Sequence, residues 1–484
     1  MRKLIFPVLL TAIFFVSSAR TPKAYPAFAA ASAASKAGPA IPAIDPIQQD
    51  DRILILAPHP DDETIGCAGI IQEALRRSAK VHVAYLTNGD SNELAFIVYE
   101  KRLTFRRGEF LHMGEVRRQE ATRAMEYLGL RAQDVTFLGY PDFGTFAIFM
   151  AHWQDAKPYK GLFTRSTSVP YKEDLSYSAP YKGESILEDI KGLIKKYQPN
   201  KIFVSHPADT NVDHKALYLF LQVALSELYS EGAVAPKVYP YLIHCIGWPS
   251  PRHYHPELWL SPPEHFLDSQ VAWSQCLLSP SDLEKKHQAV LLYKSQTESS
   301  AFYLLCFARK NELFGDYPSI ELKVSAPGAE PRGQKVQFVG TSNMYNDVPL
   351  GLIDTLQEAI EGKGHVSYGV TDNCLLIRID KAKEISRHIG FLVYLFGYSD
   401  KVPFGKMPKI RISVKSNNYR VFDAKKLIKP EGITLEYDTK KIILKVPLKL
   451  LGDPDYIFSS LKTFRGILPI DTAGFRKIYI RRPK

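Results

Sequence analysis

The chain has 484 residues, of which 45% are hydrophobic and 12% aromatic, and it carries a formal net charge of +11. This length exceeds one typical domain, and the composition excludes a globally disordered protein. The positive charges are spread along the chain rather than gathered into a basic stripe with aromatics, so we expect no nucleic-acid partner. The charge still permits affinity for an anionic surface such as a bacterial envelope.

The N-terminal 30 residues have the layout of a secretory signal peptide. Residues 1–3 are basic, an uncharged apolar run follows from Leu4 to Val16, and small residues suited to cleavage occur at 17–19 and 27–29. The apolar run is shorter than the ~20 residues that a spanning helix needs. We therefore expect cleavage, export to the periplasm or the extracellular space, and no stable transmembrane span. An uncleaved anchor is the alternative, and residues 31–49 are predicted to be a flexible lead-in.

From Arg52 onward, strands and helices alternate. Strands are predicted at 52–56, 81–87, 135–139 and 201–205, and helices at 64–75, 115–128, 186–197, 215–229 and 282–296. Such alternation predicts an α/β fold whose mostly parallel sheet has helices on both faces. Residues 143–182 show little periodicity, so we predict a long loop region that shapes a binding site.

The sequence pattern changes past Tyr317. Strict alternation at Lys409–Lys415 and a predicted hairpin between Ile433 and Val446 indicate antiparallel strands. We therefore predict an α/β domain at 50–316 and a smaller antiparallel β-sandwich at 317–484. The second domain weakly resembles sugar-binding β-sandwich modules. Carbohydrate binding and a role as a spacer or partner-binding domain are equally open.

A cluster of ionisable residues lies where the first predicted strand ends and the first helix begins. His59 is followed there by Asp61, Asp62 and Glu63. Burying carboxylates at this edge is costly unless a cation pairs with them, and the neighbouring histidine indicates a divalent metal. The alternative is that the acidic residues only cap the helix, where its dipole favours negative charge.

A second junction of the same kind follows the fourth predicted strand, at residues 206–214. In one parallel sheet both junctions open on the same edge, so residues far apart in sequence meet across one crevice. His59, Asp62 and His214 can supply the three protein ligands of a catalytic metal site. Asp61 is then placed to accept a proton from water, and Asp213 to orient His214 or another site group.

These segments resemble a known family. Residues 57–63 together with 213–214 are similar to the paired signatures of the PIG-L/LmbE family of metal-dependent N-deacetylases. Residues 117–120 and 286–296 are similar to two of its helices, and the resemblance covers about residues 50–315. It implies a Rossmann-like fold, Zn²⁺ or alternatively Fe²⁺, and removal of the N-acetyl group from a glucosamine-type sugar. The implied substrate is an N-acetylated amino sugar or an envelope glycoconjugate.

The resemblance also implies roles for single residues. His59, Asp62 and His214 would bind zinc, Asp61 would be the general base, and Arg117 would lie near the substrate. Taken without the resemblance, an arginine on a helix is most often solvated or salt-bridged at the surface.

Asn211 departs from the family pattern, because some members carry a histidine at this position, three residues before the metal-binding histidine. An amide can donate a hydrogen bond to an oxyanion but cannot serve as a cationic acid. Protonated Asp61 is therefore the expected proton donor to the leaving amine, with His206 as a second candidate. We thus predict Asp61, Asp213 and Asn211 as the catalytic set.

Two other functions stay open: a zinc amidohydrolase that acts on a non-sugar amide, and a non-catalytic glycan-binding protein with a vestigial metal site. A pure binder has little use for the base Asp61. The five cysteines are too widely spaced for a disulfide-dense scaffold, and their pairing cannot be assigned. Cys67 is predicted to be a packed residue rather than a ligand, and His244 shows no ligand-like spacing.

Overall fold

The structure is a computed structural model that describes most of the chain. The described residues are 40–91, 106–229, 232–245, 247–263, 266, 271–325, 335–337, 365–371, 373–380, 389–438, 441–465 and 468–482. The predicted signal peptide at 1–30 and the first part of the predicted lead-in lie outside them. No helix within the described residues combines the length and the hydropathy needed to cross a membrane.

The first half of the described chain folds around a seven-stranded sheet. Its strands are β1 (Arg52–Ala57), β2 (Lys80–Thr87), β3 (Val135–Tyr140), β4 (Lys201–Ser205), β5 (Lys237–Tyr241), β6 (Ala272–Leu277) and β7 (Asn311–Asp316). Their order is β3-β2-β1-β4-β5-β7-β6. The first five strands in this order are parallel, and β7 is antiparallel to both of its neighbours. The predicted, mostly parallel sheet is therefore confirmed.

Helices cover both faces of this sheet. They are α1 (Asp62–Arg76), α2 (Arg107–Leu128), α3 (Thr145–Ala151), α4 (Gly183–Tyr197), α5 (Val212–Leu228), α6 (Pro280–Val290) and α7 (Lys294–Leu304). Alternate residues of β1 point to opposite faces. Ile53 and Ile55 pack in one core with α1, α2 and α6, whereas Leu54 and Leu56 pack in another with α4 and α5. Burial on both faces explains why β1 is apolar without alternation.

Three predictions differ from the structure, and one of them is the start of α2, which begins at Arg107 and not at the predicted residue 115. The predicted helix at 282–296 is two helices, because α6 ends at Val290 and α7 begins at Lys294. The predicted loop region at 143–182 contains α3, whose seven residues are too few to show a helical period.

The second half of the described chain forms a thirteen-stranded sheet folded into a sandwich. Its strands are β8 (Ile320–Ser325), β9 (Lys335–Gln337), β10 (His365–Thr371), β11 (Cys374–Asp380), β12 (Ile389–Tyr398), β13 (Lys409–Lys415), β14 (Asn418–Asp423), β15 (Lys426–Ile428), β16 (Thr434–Tyr437), β17 (Lys441–Pro447), β18 (Tyr456–Arg465), β19 (Leu468–Thr472) and β20 (Arg476–Arg481). The main path runs β15-β14-β13-β12-β18-β20-β8-β10-β11-β17-β16. The pairs that β8 makes with β20 and β10 are parallel, and the other described pairs are antiparallel.

One hydrophobic core lies between the two layers of the sandwich. Residues of β10 and β11, such as Val366 and Leu375, pack there with Phe391 of β12 and Ile410 of β13. The antiparallel sandwich is confirmed, although its division from the α/β part as a separate domain stays a prediction. Residues 40–484 form one compact unit.

Aromatic side chains join the sandwich to the α/β part. Phe149 of α3 lies 5.5 Å from Phe396 and 5.2 Å from Phe404, measured between ring centroids. We call Phe149, Phe220, Phe396, Phe404 and Phe475 the aromatic seam; each is at most 3% exposed. Among the described residues of the sandwich, the exposed large hydrophobic side chains are only Val402 and Leu427. The described part of the sandwich therefore offers no strongly exposed aromatic platform for a sugar ring.

Two smaller features bear on the sequence predictions. Residues 42–47, in the predicted lead-in, lie against β6, where the Ile44 N–H donates to the Gln275 carbonyl (2.9 Å) and Ile47 is buried. All five cysteines are buried. Burial raises the pKa of the Cys67 thiol, which makes it an inert packed residue, as predicted.

Candidate metal centre

The two predicted junctions converge because β1 and β4 are parallel neighbours. Asp62 Oδ2 lies 3.1 Å from His59 Nδ1 and 3.1 Å from His214 Nε2. All three side chains are buried, and their candidate ligand atoms lie within 4.8 Å of one another. The three candidate donor atoms therefore converge closely enough to share one metal ion.

The remaining ring nitrogens of both histidines also face carboxylates. His59 Nε2 lies 3.1 Å from Asp142 Oδ1 and 3.4 Å from Asp213 Oδ2. His214 Nδ1 lies 3.1 Å from Asp209 Oδ2. Metal-binding histidines usually donate their second N–H to a carboxylate or carbonyl, which fixes the tautomer and the ring orientation. The arrangement around both rings is typical of metal ligands.

A divalent cation fits this donor set. His214 is fully buried, yet its Nε2, which lies 3.1 Å from Asp62 Oδ2, makes no hydrogen bond of acceptable geometry. Such orphaned buried polar atoms are costly and call for a partner. Burial opposes ionisation of Asp62, but His214 and His59 hold the pKa of this carboxyl well below its usual value, so it is an anionic donor. Two imidazoles and one carboxylate suit zinc.

Asp61 does not behave as a helix cap. It precedes α1 with φ 117°, and its side chain makes no capping hydrogen bond. Its backbone N–H donates to Glu63 Oε2 (3.1 Å), and its Oδ2 accepts from Arg117 Nη2 (3.3 Å). A non-glycine residue in this conformation is strained, and such strain concentrates at functional sites. For Asp61 the capping alternative is therefore not supported.

The protonation of Asp61 depends on its surroundings. Burial is the main cause that raises the pKa of Asp61 to about 8, and the charge of Arg117 works against it. A divalent cation beside the carboxyl would lower this pKa again, because positive charge favours the ionised form. A metal-loaded site therefore favours the anionic base that proton abstraction needs.

Arg117 is 3% exposed and directs its guanidinium at the first junction. It donates to the Pro60 carbonyl (2.6 Å) and the Gly89 carbonyl (2.9 Å), in addition to Asp61. Its predicted place near the substrate is consistent with its contact to Asp61. A direct contact to substrate stays a prediction, because the contacts seen here position the motif backbone.

Asn211 and Asp213 both bind backbone groups. Asn211 caps α5, where its Oδ1 accepts from the Asp213 N–H (2.8 Å). Its predicted hydrogen bond to an oxyanion stays a prediction. The Asp213 carboxylate accepts from the N–H groups of Phe143 (2.5 Å) and Thr145 (3.0 Å). The histidine that this carboxylate contacts is His59.

Sequence reasoning missed Asp142, Asp209 and His244. His244 Nδ1 lies 3.1 Å from Asp209 Oδ1, and its ring centroid is 4.6 Å from that of His214. Asp209 Oδ2 also accepts from the N–H groups of Ile243 (3.1 Å) and His244 (2.9 Å). His244 therefore lies beside the site, although its sequence spacing is not that of a ligand. Asp142 is the second residue after the end of β3, so the expectation of polar site residues at strand ends could have found it.

His206 does not lie among these polar groups. It is fully buried beside the rings of Phe266, Trp273 and Tyr317, and its Nδ1 accepts from the Ala208 N–H (3.0 Å). Burial lowers the pKa of His206 to about 3. A neutral imidazole among aromatic rings has no proton to give to the leaving amine as a cationic acid. The alternative role of His206 as proton donor is therefore not supported.

Fold and site together define an α/β protein with a candidate mononuclear metal centre at the carboxyl edge of its sheet. Residues 54–225 match the PIG-L family model, described as GlcNAc-PI de-N-acetylase. The α/β part of the chain is thus similar to the PIG-L family over these residues.

Two curated proteins and one solved structure are similar to this chain. The chain is 27% identical over 203 residues to 1D-myo-inositol 2-acetamido-2-deoxy-alpha-D-glucopyranoside deacetylase of Mycolicibacterium smegmatis, covering 42% of this chain and 58% of that protein. It is 23% identical over 287 residues to a glucosamine-6-phosphate deaminase-like protein of Bacteroides thetaiotaomicron, covering 52% and 36%. It thus spans less than two thirds of either relative. N,N'-diacetylchitobiose deacetylase from Pyrococcus horikoshii superposes with a TM-score of 0.31 at 18% identity, covering 51% of this chain and 72% of that chain.

Proposed function

We propose that this protein is a metal-dependent N-deacetylase that removes the acetyl group from an N-acetylated amino sugar, free or within an envelope glycoconjugate. The buried set of His59, Asp62 and His214, with Asp61 beside it, carries the proposal. The PIG-L match supports the reaction type. The similarity to a 2-acetamido-2-deoxy-glucopyranoside deacetylase supports the sugar class.

Zn²⁺ or Fe²⁺ held by His59, Asp62 and His214 would supply Lewis acidity that lowers the pKa of water and polarises the amide carbonyl. The protein's own groups handle the protons. Arg117 engages Oδ2 of Asp61, which leaves Oδ1 to accept a proton from the attacking water. Asp61 then gives this proton to the leaving nitrogen as the C–N bond breaks, so that acetate and a free amine form.

We further propose that the protein acts after export to the periplasm or the extracellular space. The basic start and the short apolar run within residues 1–30 support this location. The site of action would then hold envelope glycans, which fits the proposed substrate class.

Acetate release by the metal-loaded full chain tests the activity. We expect acetate from N-acetylglucosamine or its conjugates, and none from N-acetylated peptides. Hydrolysis of the peptides alone would replace the proposal with a non-sugar amidohydrolase. Glycan binding without acetate release from any substrate would replace it with a binding protein.

A further inference from the structure

The loop that carries Asp209 is in backbone contact with the sandwich. The Phe475 N–H, in the turn before β20, donates to the Pro207 carbonyl (3.2 Å). A Cβ added at Gly474 would lie 2.6 Å from Ala208 Cβ, 2.8 Å from Tyr317 Cε2 and 3.1 Å from Ala208 Cα. Real Cβ atoms essentially never approach other heavy atoms within 3.0 Å. Space alone therefore requires glycine at position 474.

The contact with Ala208 is next in sequence to Asp209, whose carboxylate lies beside the candidate metal centre. Asp209 follows Ala208, and its Oδ2 lies 3.1 Å from His214 Nδ1. The same carboxylate is 0% exposed and accepts backbone N–H groups from the segment after β5. A shift of Ala208 would therefore move Asp209 relative to the imidazole that it orients.

A second segment behind the centre also rests on the sandwich. Thr145, the first residue of α3, donates through N–H and Oγ1 to Asp213 Oδ1. The next residue, Phe146, packs its ring 5.9 Å from that of Phe475, and Phe149 packs on Phe396 at 5.5 Å. Asp213 Oδ2 lies 3.4 Å from His59 Nε2. The contacts from the sandwich through α3 therefore reach His59, on the other side of the centre from His214.

Phe475 takes part in both paths. Its N–H holds the loop after β4, its ring contacts α3, and its side chain is 3% exposed. We propose that the sandwich is a built-in support of the metal centre, in which Gly474 and Phe475 are positioning residues for Asp209 and Asp213. The inference rests on the proposed metal site and gives the C-terminal part a role other than carbohydrate binding.

Zinc affinity of the full-length protein, measured by competition with a chromophoric chelator, tests the proposal. Gly474→Ala places a methyl group against Ala208, and we expect zinc affinity to fall on the order of 10- to 100-fold, as for other outer-sphere changes. Adding Ala208→Gly removes the nearest clashing atom and should restore part of the affinity. Phe475→Leu keeps the backbone contact but loses the ring contact, so we expect a smaller loss.

Gly405→Ala is the matched control. Gly405 lies at the same interface, but a Cβ there would meet Trp153 (3.0 Å) and Glu184 (3.2 Å) rather than residues 206–209. We expect a lower melting temperature without loss of zinc affinity. Equal losses in the Gly405 and Gly474 variants would overturn the proposal, because general interface stability would then be responsible.

The outcomes separate this inference from the proposed function. If the wild-type protein binds no zinc, the metal site itself is wrong. If the wild type binds zinc and both Gly474→Ala and Phe475→Leu bind it equally well, only the positioning role is overturned. Should Gly474→Ala fail to fold, Phe475→Leu decides alone: a selective loss of zinc affinity supports the role, and unchanged affinity rejects it.

Discussion

The carboxylate of Asp213 contacts the imidazole of His59, at 3.4 Å from Nε2, although its neighbour in sequence is His214. Asp213, which directly precedes the candidate ligand His214, therefore orients the other candidate ligand, His59. The two junctions are linked through this contact as well as through the shared carboxylate of Asp62, which makes the centre sensitive to either loop.

Asp213→Asn should weaken zinc binding on the order of 10- to 100-fold. The amide keeps the size of the side chain, but its NH₂ group would face the N–H donors of Phe143 or Thr145. The Nε2 of His59 would then keep only one of its two anionic partners, Asp142. Chelator competition measures the change. Asp45→Asn, at a largely exposed ion pair with Lys237, is the control and should bind zinc like the wild type. Unchanged affinity in Asp213→Asn would contradict the assignment.

Asp61→Asn should reduce acetate release by about 10² to 10⁴-fold, the usual contribution of a general base. Zinc content should stay normal, because Asp61 is not a predicted ligand. Acetate assays and elemental analysis on the same preparation check both expectations. Turnover close to that of the wild type would remove Asp61 from the mechanism.

His214→Ala should abolish stoichiometric zinc binding. The substitution removes one of three donors and leaves Asp62 and Asp209 without the imidazole between them. Elemental analysis after dialysis measures the occupancy. Full zinc occupancy in this variant would show that the ion binds at a site that does not include His214.

Lys286→Met should destabilise the protein by about 3–5 kcal/mol. Lys286 Nζ lies 2.7 Å from Glu312 Oε1, both side chains are 1% exposed, and the loss of one partner leaves a buried charge. Chemical denaturation monitored by fluorescence measures the shift. A second change, Glu312→Gln, should recover part of the loss. A double variant less stable than Lys286→Met would contradict this account of the pair.

The stability of the protein should depend on pH through Lys409, whose Nζ lies 3.9 Å from the centroid of the Phe404 ring in the aromatic seam. Burial lowers its pKa from 10.5 to about 7, and Asp423 and Glu184 only partly oppose this. Between these two pH values the unfolded chain holds a proton that the folded chain has released. The contribution of Lys409 to stability therefore rises with pH across this window.

Lys409→Met removes this pH dependence. The melting temperature of the variant minus that of the wild type should be larger at pH 6.5 than at pH 9.5. Other ionisable groups are common to both proteins and cancel in that difference. An equal difference at both pH values would show that Lys409 keeps an ordinary pKa.

The convergence of His59, Asp62 and His214 could be predicted because these residues follow strands that are recognisable as apolar runs. His244 could not be placed in the same way, because β5 contains Pro240 and an exposed Lys237 and does not read as a strand. Its proximity to His214 depends on the pairing of β5 with β4, which is a tertiary contact.

Which carboxylate faces which imidazole also depends on tertiary structure. Asp142 is a single acidic residue after β3, and nothing in the local sequence points it at His59. The short helix α3 was missed for a related reason. Its apolar residues Phe146 and Phe149 pack on the sandwich, so their pattern reflects contacts with distant strands.

The aromatic seam also constrains how the chain can be divided. A fragment that ends at Asp316 would expose Phe149, which packs on Phe396 and Phe404, and Phe146, which packs on Phe475. Contiguous apolar surface of this kind promotes aggregation. Trimming the protein to its α/β half for crystallisation or biotechnology would therefore give inclusion bodies unless these phenylalanines were first replaced by polar residues.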